Sequence, residues 1–322
     1  MFNEEILYFL KKRPGYISGE EISQELGISR SAIWKHIQEL RESGYDIAAV
    51  PHLGYSLLSC PDRLFPWEIR YLLKSRFIAK TVYYYENLSS TMDRAMELAF
   101  NGAPEGTLVI AEGQTKGRGR LGRLWLSPKY KGIYFSLIIK PDIIPQQAPV
   151  VTLISAVAIC EGLKQQLGLQ AQIKWPNDIL LNNQKVGGIL TELSAETDTV
   201  YAIIVGVGIN VNNDRKTLPD SASSLKEIIG HEVFRLGVLQ GILSCFEKRY
   251  IEFQKQGMGR ILERWRHFNV TLGRRIKISM NKQRLQLVGE AIDIDQDGGL
   301  LIRKDSGLIE RVMAGDITHC KR

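Results

Sequence analysis

Gly117-Arg118-Gly119-Arg120-Leu121-Gly122-Arg123 is the stretch on which the reading of this chain turns, with three arginines and three glycines in seven residues. Glycine lets backbone come close to a ligand, and each guanidinium is a planar fork matched to carboxylate or phosphate oxygens. A solvated basic turn is the bland alternative, but few such turns are this dense. The stretch also fits a G-x-G-x-x-G pattern at Gly117, Gly119 and Gly122, after an expected strand at Thr107–Ala111. That dinucleotide fingerprint requires a helix to open at once, because the pyrophosphate sits on the helix N-terminus. Here Leu124-Trp125-Leu126-Ser127-Pro128 follows, with no helical period and a proline stop. The loop is therefore read as an anion clamp outside a Rossmann unit.

Two downstream segments answer it: Lys174-Trp175-Pro176-Asn177-Asp178, and Lys185-Val186-Gly187-Gly188-Ile189. A lysine beside a Gly-Gly strand, facing an arginine–glycine loop, suits a site that handles an acid and a nucleotide together. Around them, elements alternate. Helices are expected at Trp67–Ser75, from a cap at Ser90-Thr91-Met92-Asp93 to about Asn101, and at Val151–Leu167. Strands are expected at Thr81–Tyr85, Gly132–Ile139, from Ile173, and at Tyr201–Val207 running on to Asn210. Ile179–Leu181 and Val186–Leu193 form an expected hairpin about Asn182-Asn183-Gln184. This mixture predicts an α+β multidomain chain whose central α/β domain has one largely mixed or antiparallel sheet.

Residues 1–62 read as a separate unit, with a boundary near Pro61-Asp62-Arg63. A helix from Glu4 to Lys12 ends at Pro14-Gly15. Ser18 then caps a second helix in a capping-box pattern with Glu21, Gly27 breaks it, and Ser29 caps a third helix over Arg30–Ser43. Helices either side of Leu26-Gly27-Ile28-Ser29, followed by strands at Ile47–Val50 and Tyr55–Leu58, predict a winged helix-turn-helix. The outer face of the third helix offers Ser29, Arg30, Ser31, Lys35, His36 and Gln38 to base edges or phosphates in a major groove. A helical hairpin for protein contacts is the alternative. The unit carries six Lys/Arg against nine Asp/Glu, which leaves +10 of the chain's net +7 to the remainder. DNA binding by one copy is then expected to be weak and salt-sensitive, with affinity gained by dimerising on a two-fold site.

Toward the other end, a helix over Leu236–Gln254 gives way to short strands at Ile276–Met280, Leu285–Ile294, Leu300–Arg303 and Ile309–Met313. They predict a small SH3-like β-barrel, giving domains at 1–62, 63–270 and 271–322. The 322 residues suffice for two or three domains. Early acidic residues argue against a signal peptide. The longest apolar run, around Val150–Cys160, is too short to cross a bilayer and reads as a buried helix. Cys60, Cys160, Cys245 and Cys320 lie too far apart for a metal or redox motif, which favours a reduced, cytoplasmic protein without membrane attachment. No compact carboxylate cluster marks a metal site, so metal ligands are left unassigned.

The conjunction of Glu112–Trp125, the K-W-P-N-D segment, the hairpin lysine before V-G-G-I-L, and Gly206-Val-Gly-Ile-Asn-Val-Asn212 resembles the biotin–protein ligases. With the winged helix the whole chain resembles the bifunctional ligase and repressor kind. The resemblance implies that biotin's carboxylate is joined to the α-phosphate of Mg2+-bound ATP, and that biotin then passes from biotinyl-5'-AMP to a lysine of a biotin carboxyl carrier protein. It also implies a homodimer promoted by the adenylate as corepressor, bound to operator DNA.

On the same resemblance, Arg118 and Arg120 clamp the anions, Gly119 allows close backbone approach, and Lys185 holds the carboxylate or acyl-phosphate oxygens. Ser90, Thr91 and Gln114 match positions that meet biotin. Met92 stands where many relatives have asparagine, which removes an amide from that spot. Arg123, Trp125, Lys174, Asn177 and Asn210 fall on the adenylate side, with Asp178 as a possible base. Trp175 and Pro176 read as structural. Val186–Leu193 is a candidate edge strand for pairing between copies. A lipoate ligase, a ligand sensor without catalysis, and a ligase whose winged helix no longer binds DNA are the rivals.

Overall fold

The computed structural model describes residues 2–196, 199–280 and 285–319. Cys320 lies outside them. The chain forms two compact units, Met1–Arg63 and Leu64–Arg322.

In the first unit, α1 (Phe2–Lys12), α2 (Gly19–Leu26) and α3 (Arg30–Glu42) are followed by a two-stranded antiparallel wing, β1 (Asp46–Val50) and β2 (Gly54–Ser59). The caps expected at Ser18 and Ser29 form, each hydroxyl accepting a backbone N–H three residues on, from Glu21 at 3.1 Å and Ala32 at 3.2 Å. Gly27 ends α2 in the left-handed region that glycine tolerates. Ile33, Ile37 and Leu40 turn inward and fix which face of α3 looks out.

The second unit is built on a seven-stranded mixed sheet. Its elements run α4 (Pro66–Leu72), β3 (Val82–Tyr85), α5 (Thr91–Phe100), β4 (Leu108–Ala111), β5 (Gly132–Ile139), α6 (Pro149–Leu167), β6 (Gln172–Lys174), β7 (Asp178–Leu181), β8 (Gln184–Glu196) and β9 (Thr199–Asn210). The helices α7 (Leu225–Ile229), α8 (Arg235–Gln256) and α9 (Gly259–Phe268) follow. Sheet order is β3-β4-β5-β9-β8-β7-β6, with β3 and β4 parallel and the other neighbours antiparallel.

Alternation along the strands separates two faces. Val109, Ile138, Ala202 and Ile204 point to α5, where Met92, Ala95 and Leu98 cover them. Their neighbours Leu108, Ile110, Leu137, Ile139, Ile203 and Val205 join the larger core with α6 and α8. Continued two residues at a time, the α5 face of β9 reaches Gly206 and Gly208, and Gly188 of β8 lies directly across from Gly208. Side chains thus recede there, and the sheet offers a flat floor.

Helix α6 with the 3₁₀ turn before it, Pro145–Leu167, has the length and hydropathy to cross a bilayer, so length does not exclude a span as the sequence had suggested. Its apolar window is 78% buried inside the protein, packed on α8 and the sheet. The hairpin between β7 and β8 turns on two residues, Asn182 and Asn183, both with positive φ.

The C-terminal strands β10 (Arg275–Met280), β11 (Leu285–Ile294), β12 (Leu300–Arg303), β13 (Ile309–Val312) and β14 (Asp316–His319) form an antiparallel sheet in the order β13-β12-β11-β10-β14. Among the described residues its two edge strands do not pair with each other, so the ladder is open rather than the closed barrel expected. Strand β14 was not anticipated. The sheet's inner residues, Ile276, Ile278 and Leu300 among them, share one core with the central sheet.

Candidate active site

A cavity of about 470 Å³ opens over the glycine floor. It takes its walls from the arginine–glycine loop, the N-terminus of α5, K-W-P-N-D, the β7–β8 hairpin, residues 218–222, and Gly315–Thr318 of the C-terminal sheet. Every ligase-side residue singled out from the sequence lines it except Ser90. Ser90 is buried behind the wall, its hydroxyl capping α5 by accepting the Asp93 N–H at 3.4 Å.

The floor accounts for the two large side chains lying on it. A Cβ at Gly208 would stand 2.4 Å from Trp125 Nε1, and one at Gly206 would stand 2.4 Å from Met92 Sδ. Glycine there is a condition of close packing. The Trp125 Nε1–H is buried and has no hydrogen-bond acceptor among the described residues. Met92 belongs to the hydrophobic cluster under α5, where its thioether leaves no buried polar group unpaired.

At the α5 end the polar groups are wired together. Gln114 Oε1 accepts from Thr91 N at 2.8 Å and Thr91 Oγ1 at 3.2 Å, while its Nε2 donates to Ser127 Oγ at 3.0 Å. Ser136 Oγ, fully buried on β5, donates to Thr91 Oγ1 at 2.9 Å. Thr91 and Gln114 are thereby held in fixed orientations. The loop's first residues are anchored deeper still. Glu112 and Arg235 form an ion pair at 2.7 Å, both wholly buried, and the glutamate's other oxygen accepts the Leu64 N–H at 2.9 Å.

The cations meet carboxylates supplied by distant parts of the chain. Arg118 bridges Asp93 of α5 at 2.7 Å and Glu192 of β8 at 2.9 Å. Arg120 donates to Asn177 Oδ1 at 3.0 Å and lies 4.0 Å from Asp316, and burial pushes its guanidinium pKa down while Asp316 and Asp178 oppose that shift. Arg123, mostly exposed, pairs with Asp316. Lys185 Nζ sits 2.5 Å from Asp178 Oδ1 and 5.4 Å from the Trp125 ring centroid. Lys174 lies on the same wall.

No helix follows the glycine loop, in keeping with its proline-stopped sequel, and the loop itself holds only a 3₁₀ turn at Arg120–Gly122. Asn177 spends its amide between Arg120 and Ile189 O, 2.7 Å away, and so ties loop to β8. Asn210 donates to Ser223 O at 3.1 Å and holds the segment before α7 against the cavity. Trp175 is core, its indole N–H donating to Gly298 O at 3.2 Å. Sequence reading missed Ser127, Ser136, residues 218–222 and Asp316. Only Asp316 had a readable signal, the alternation Asp316-Ile317-Thr318-His319 beyond the last strand expected.

Two further placements differ from expectation. Strand β8 is no simple edge: β7 pairs it over Gln184–Gly188 and β9 over Gly187–Glu196, so only the stretch from Leu190 onward is paired on a single side among the described residues. On α3, His36 turns from the outer face toward α1, with Glu39 3.1 Å from its Nδ1 and the Phe2 ring 5.7 Å away. Ser29, Arg30, Ser31 and Lys35 are exposed and Gln38 is half-buried.

A flat-floored cavity walled by cations, with Lys185 paired to Asp178 at its side, suits an enzyme that activates an acid. The matches with known families place it further. Residues 84–210 match the biotin/lipoate A/B protein ligase family, 3–56 an HTH domain, and 271–319 the biotin protein ligase C-terminal domain. Along its length the chain is 44% identical over 307 residues to the bifunctional ligase/repressor BirA of Bacillus subtilis, covering 94% of this chain and 93% of that one. It is 31% identical to the protein of the same name from Escherichia coli, covering 94% and 92%. The biotin protein ligase of Aquifex aeolicus, solved in complex with biotin and ATP, superposes with a TM-score of 0.64 at 29% identity, covering 76% of this chain and all of that one. The chain belongs to the bifunctional biotin ligase/repressor family.

Proposed function

We propose that the cavity joins the carboxylate of biotin to the α-phosphate of ATP, releases pyrophosphate, and passes the biotinyl group to a lysine of a biotin carboxyl carrier protein as AMP leaves. The carrying observation is the convergence of Arg118, Arg120, Arg123 and Lys185 on one cavity over a glycine floor. Bringing two anions together is costly without fixed cations, and a preorganised cationic wall lowers that cost most where charge develops.

In this reading Thr91, Met92 and Gln114 seat the biotin rings near the α5 end, with Gly119 giving the loop backbone close approach. Ser90 acts through its cap on α5. Lys185 releases Asp178 to hold the reacting carboxylate oxygens, and Asp178 is then free to receive the proton of the incoming lysine. Arg118 closes over the adenylate, and Arg120, Arg123, Trp125, Lys174, Asn177 and Asn210 serve the nucleotide side. Magnesium fits as a companion of the triphosphate: among the described residues no group of three or more His, Cys, Asp or Glu stands ready for a metal, and this ion is commonly held by substrate phosphates with few carboxylates.

The functional partition we favour is 1–62 for DNA, 63–270 for catalysis, and 271–322 as a small antiparallel-sheet module that lends Asp316 to the site. The adenylate acts as corepressor by favouring a homodimer on operator DNA. Its interface is the one-sided stretch of β8 from Leu190, beside exposed Leu193 and Tyr201. The same surface receives the carrier protein, so transfer and dimerisation compete. A cytoplasmic location follows from the need for ATP, carrier and DNA together. Pyrophosphate release from Mg·ATP, with biotin or lipoate as the acid, tests the reading: release with biotin alone is expected, and release with lipoate but not biotin refutes it.

A further inference from the structure

Helix α3 carries one side chain that neither the hydrophobic core nor the helix-turn-helix match explains. Trp34 is 59% exposed, although Ile33, Ile37 and Leu40 of the same helix are buried. It stands between Arg30 and Gln38 at four-residue spacing, so the three form one stripe along the outer face. Arg30 is partly committed, pairing with Glu20 of α2. With His36 turned toward Phe2 and Glu39, Trp34 is the largest group left on the outward face.

On a face otherwise lined by polar side chains, the indole offers a flat apolar surface at the centre of the stripe. Docking of a protein would need a contiguous apolar patch, whereas the residues around Trp34 on the helix surface are Arg30, Ser31, Lys35 and Gln38. A duplex major groove offers the matching pattern: phosphates and base edges for the polar residues, and one apolar feature, the thymine C5-methyl group. We propose that Trp34 is a specificity-determining residue that reads a thymine methyl, flanked by Gln38 on a base edge and by Ser29, Ser31 and Lys35 on phosphates. The inference rests on the DNA-binding reading of the first unit.

The test is in vitro selection from a randomised duplex library, with biotin and Mg·ATP present, for the full-length protein and for Trp34→Ala. The motif selected by the wild type is then resynthesised with deoxyuridine replacing each thymine in turn, which removes only the methyl group. Expected are loss of a thymine preference at one position per half-site in the variant, about a tenfold loss of wild-type affinity on deoxyuridine replacement there, and indifference of Trp34→Ala to that replacement. Affinity for a scrambled duplex should stay within about twofold. An identical motif from both proteins overturns the proposal. So does loss of scrambled-duplex binding by Trp34→Ala, which would make Trp34 a scaffold residue. If the wild type enriches no motif, the DNA-binding reading itself falls, a failure distinct from the other two.

Discussion

The cavity and helix α3 are both rows of polar side chains offered to an anion, yet they are made in opposite ways. On α3 every exposed residue is placed by the helix that carries it: a cap at Ser29, an apolar stripe at Ile33, Ile37 and Leu40, and a fixed angular step. In the cavity the arginines are held by partners from other segments and the lysine by one across its hairpin. Arg118 is held by α5 and β8, Arg120 by K-W-P-N-D, Arg123 by the C-terminal sheet, and Lys185 by a neighbour across the hairpin. A site built from local rules survives damage elsewhere, whereas a convergent site inherits the stability of its whole scaffold.

Glu112→Gln tests that dependence with the largest expected effect. It leaves Arg235 charged, wholly buried and short of its anionic partner, which should cost the ligase unit about 3–5 kcal/mol in urea titration. The N-terminal unit should melt as before. Equal loss in both units would break the contrast.

Lys185→Ala separates chemistry from scaffold. Adenylate formation should fall about 10²- to 10³-fold, with biotin affinity and stability changed far less. A matching collapse of stability would mean that the Lys185–Asp178 pair is structural.

Arg118→Ala sharpens the account of the loop. Its guanidinium is partly exposed and bridges two carboxylates, so it should govern retention more than formation. Release of the adenylate should quicken about tenfold, equivalent to roughly 1.4 kcal/mol, in a rapid-dilution assay. Unchanged retention would remove this role.

The smallest effect belongs to the local region. Ser29→Ala deletes one cap hydrogen bond and should lower the stability of the first unit by about 1 kcal/mol, read from its thermal melt, with ligase turnover untouched.

This contrast also explains what the chain disclosed before its structure. Caps, the helix break at Gly27, strand alternation from Gly132 to Ile139, and the dinucleotide pattern's failure at Pro128 are nearest-neighbour facts, so they were legible. The glycine floor was half legible. Gly188, Gly206 and Gly208 were recognised as motif letters, but only the register of β8 on β9 shows that Trp125 and Met92 lie on them. The partnerships of Asp316, Ser136 and the buried Glu112–Arg235 pair span 45 to 193 residues, so local alternation could mark the strand of Asp316 but not its partner. His36 sits at the border of the apolar stripe, so its contact with Phe2 and Glu39 was not legible from helical spacing.

The central claim is that one cavity first activates biotin and then gives it to a lysine. The most direct test incubates the protein with biotin, Mg·ATP and a lysine-bearing carboxylase carrier domain, with Lys185→Ala in parallel, and follows the carrier by mass spectrometry. The account predicts one biotinyl group per carrier from the wild type and almost none from the variant. Tight biotin binding by the wild type without transfer would contradict it, leaving a sensor that has lost its catalysis.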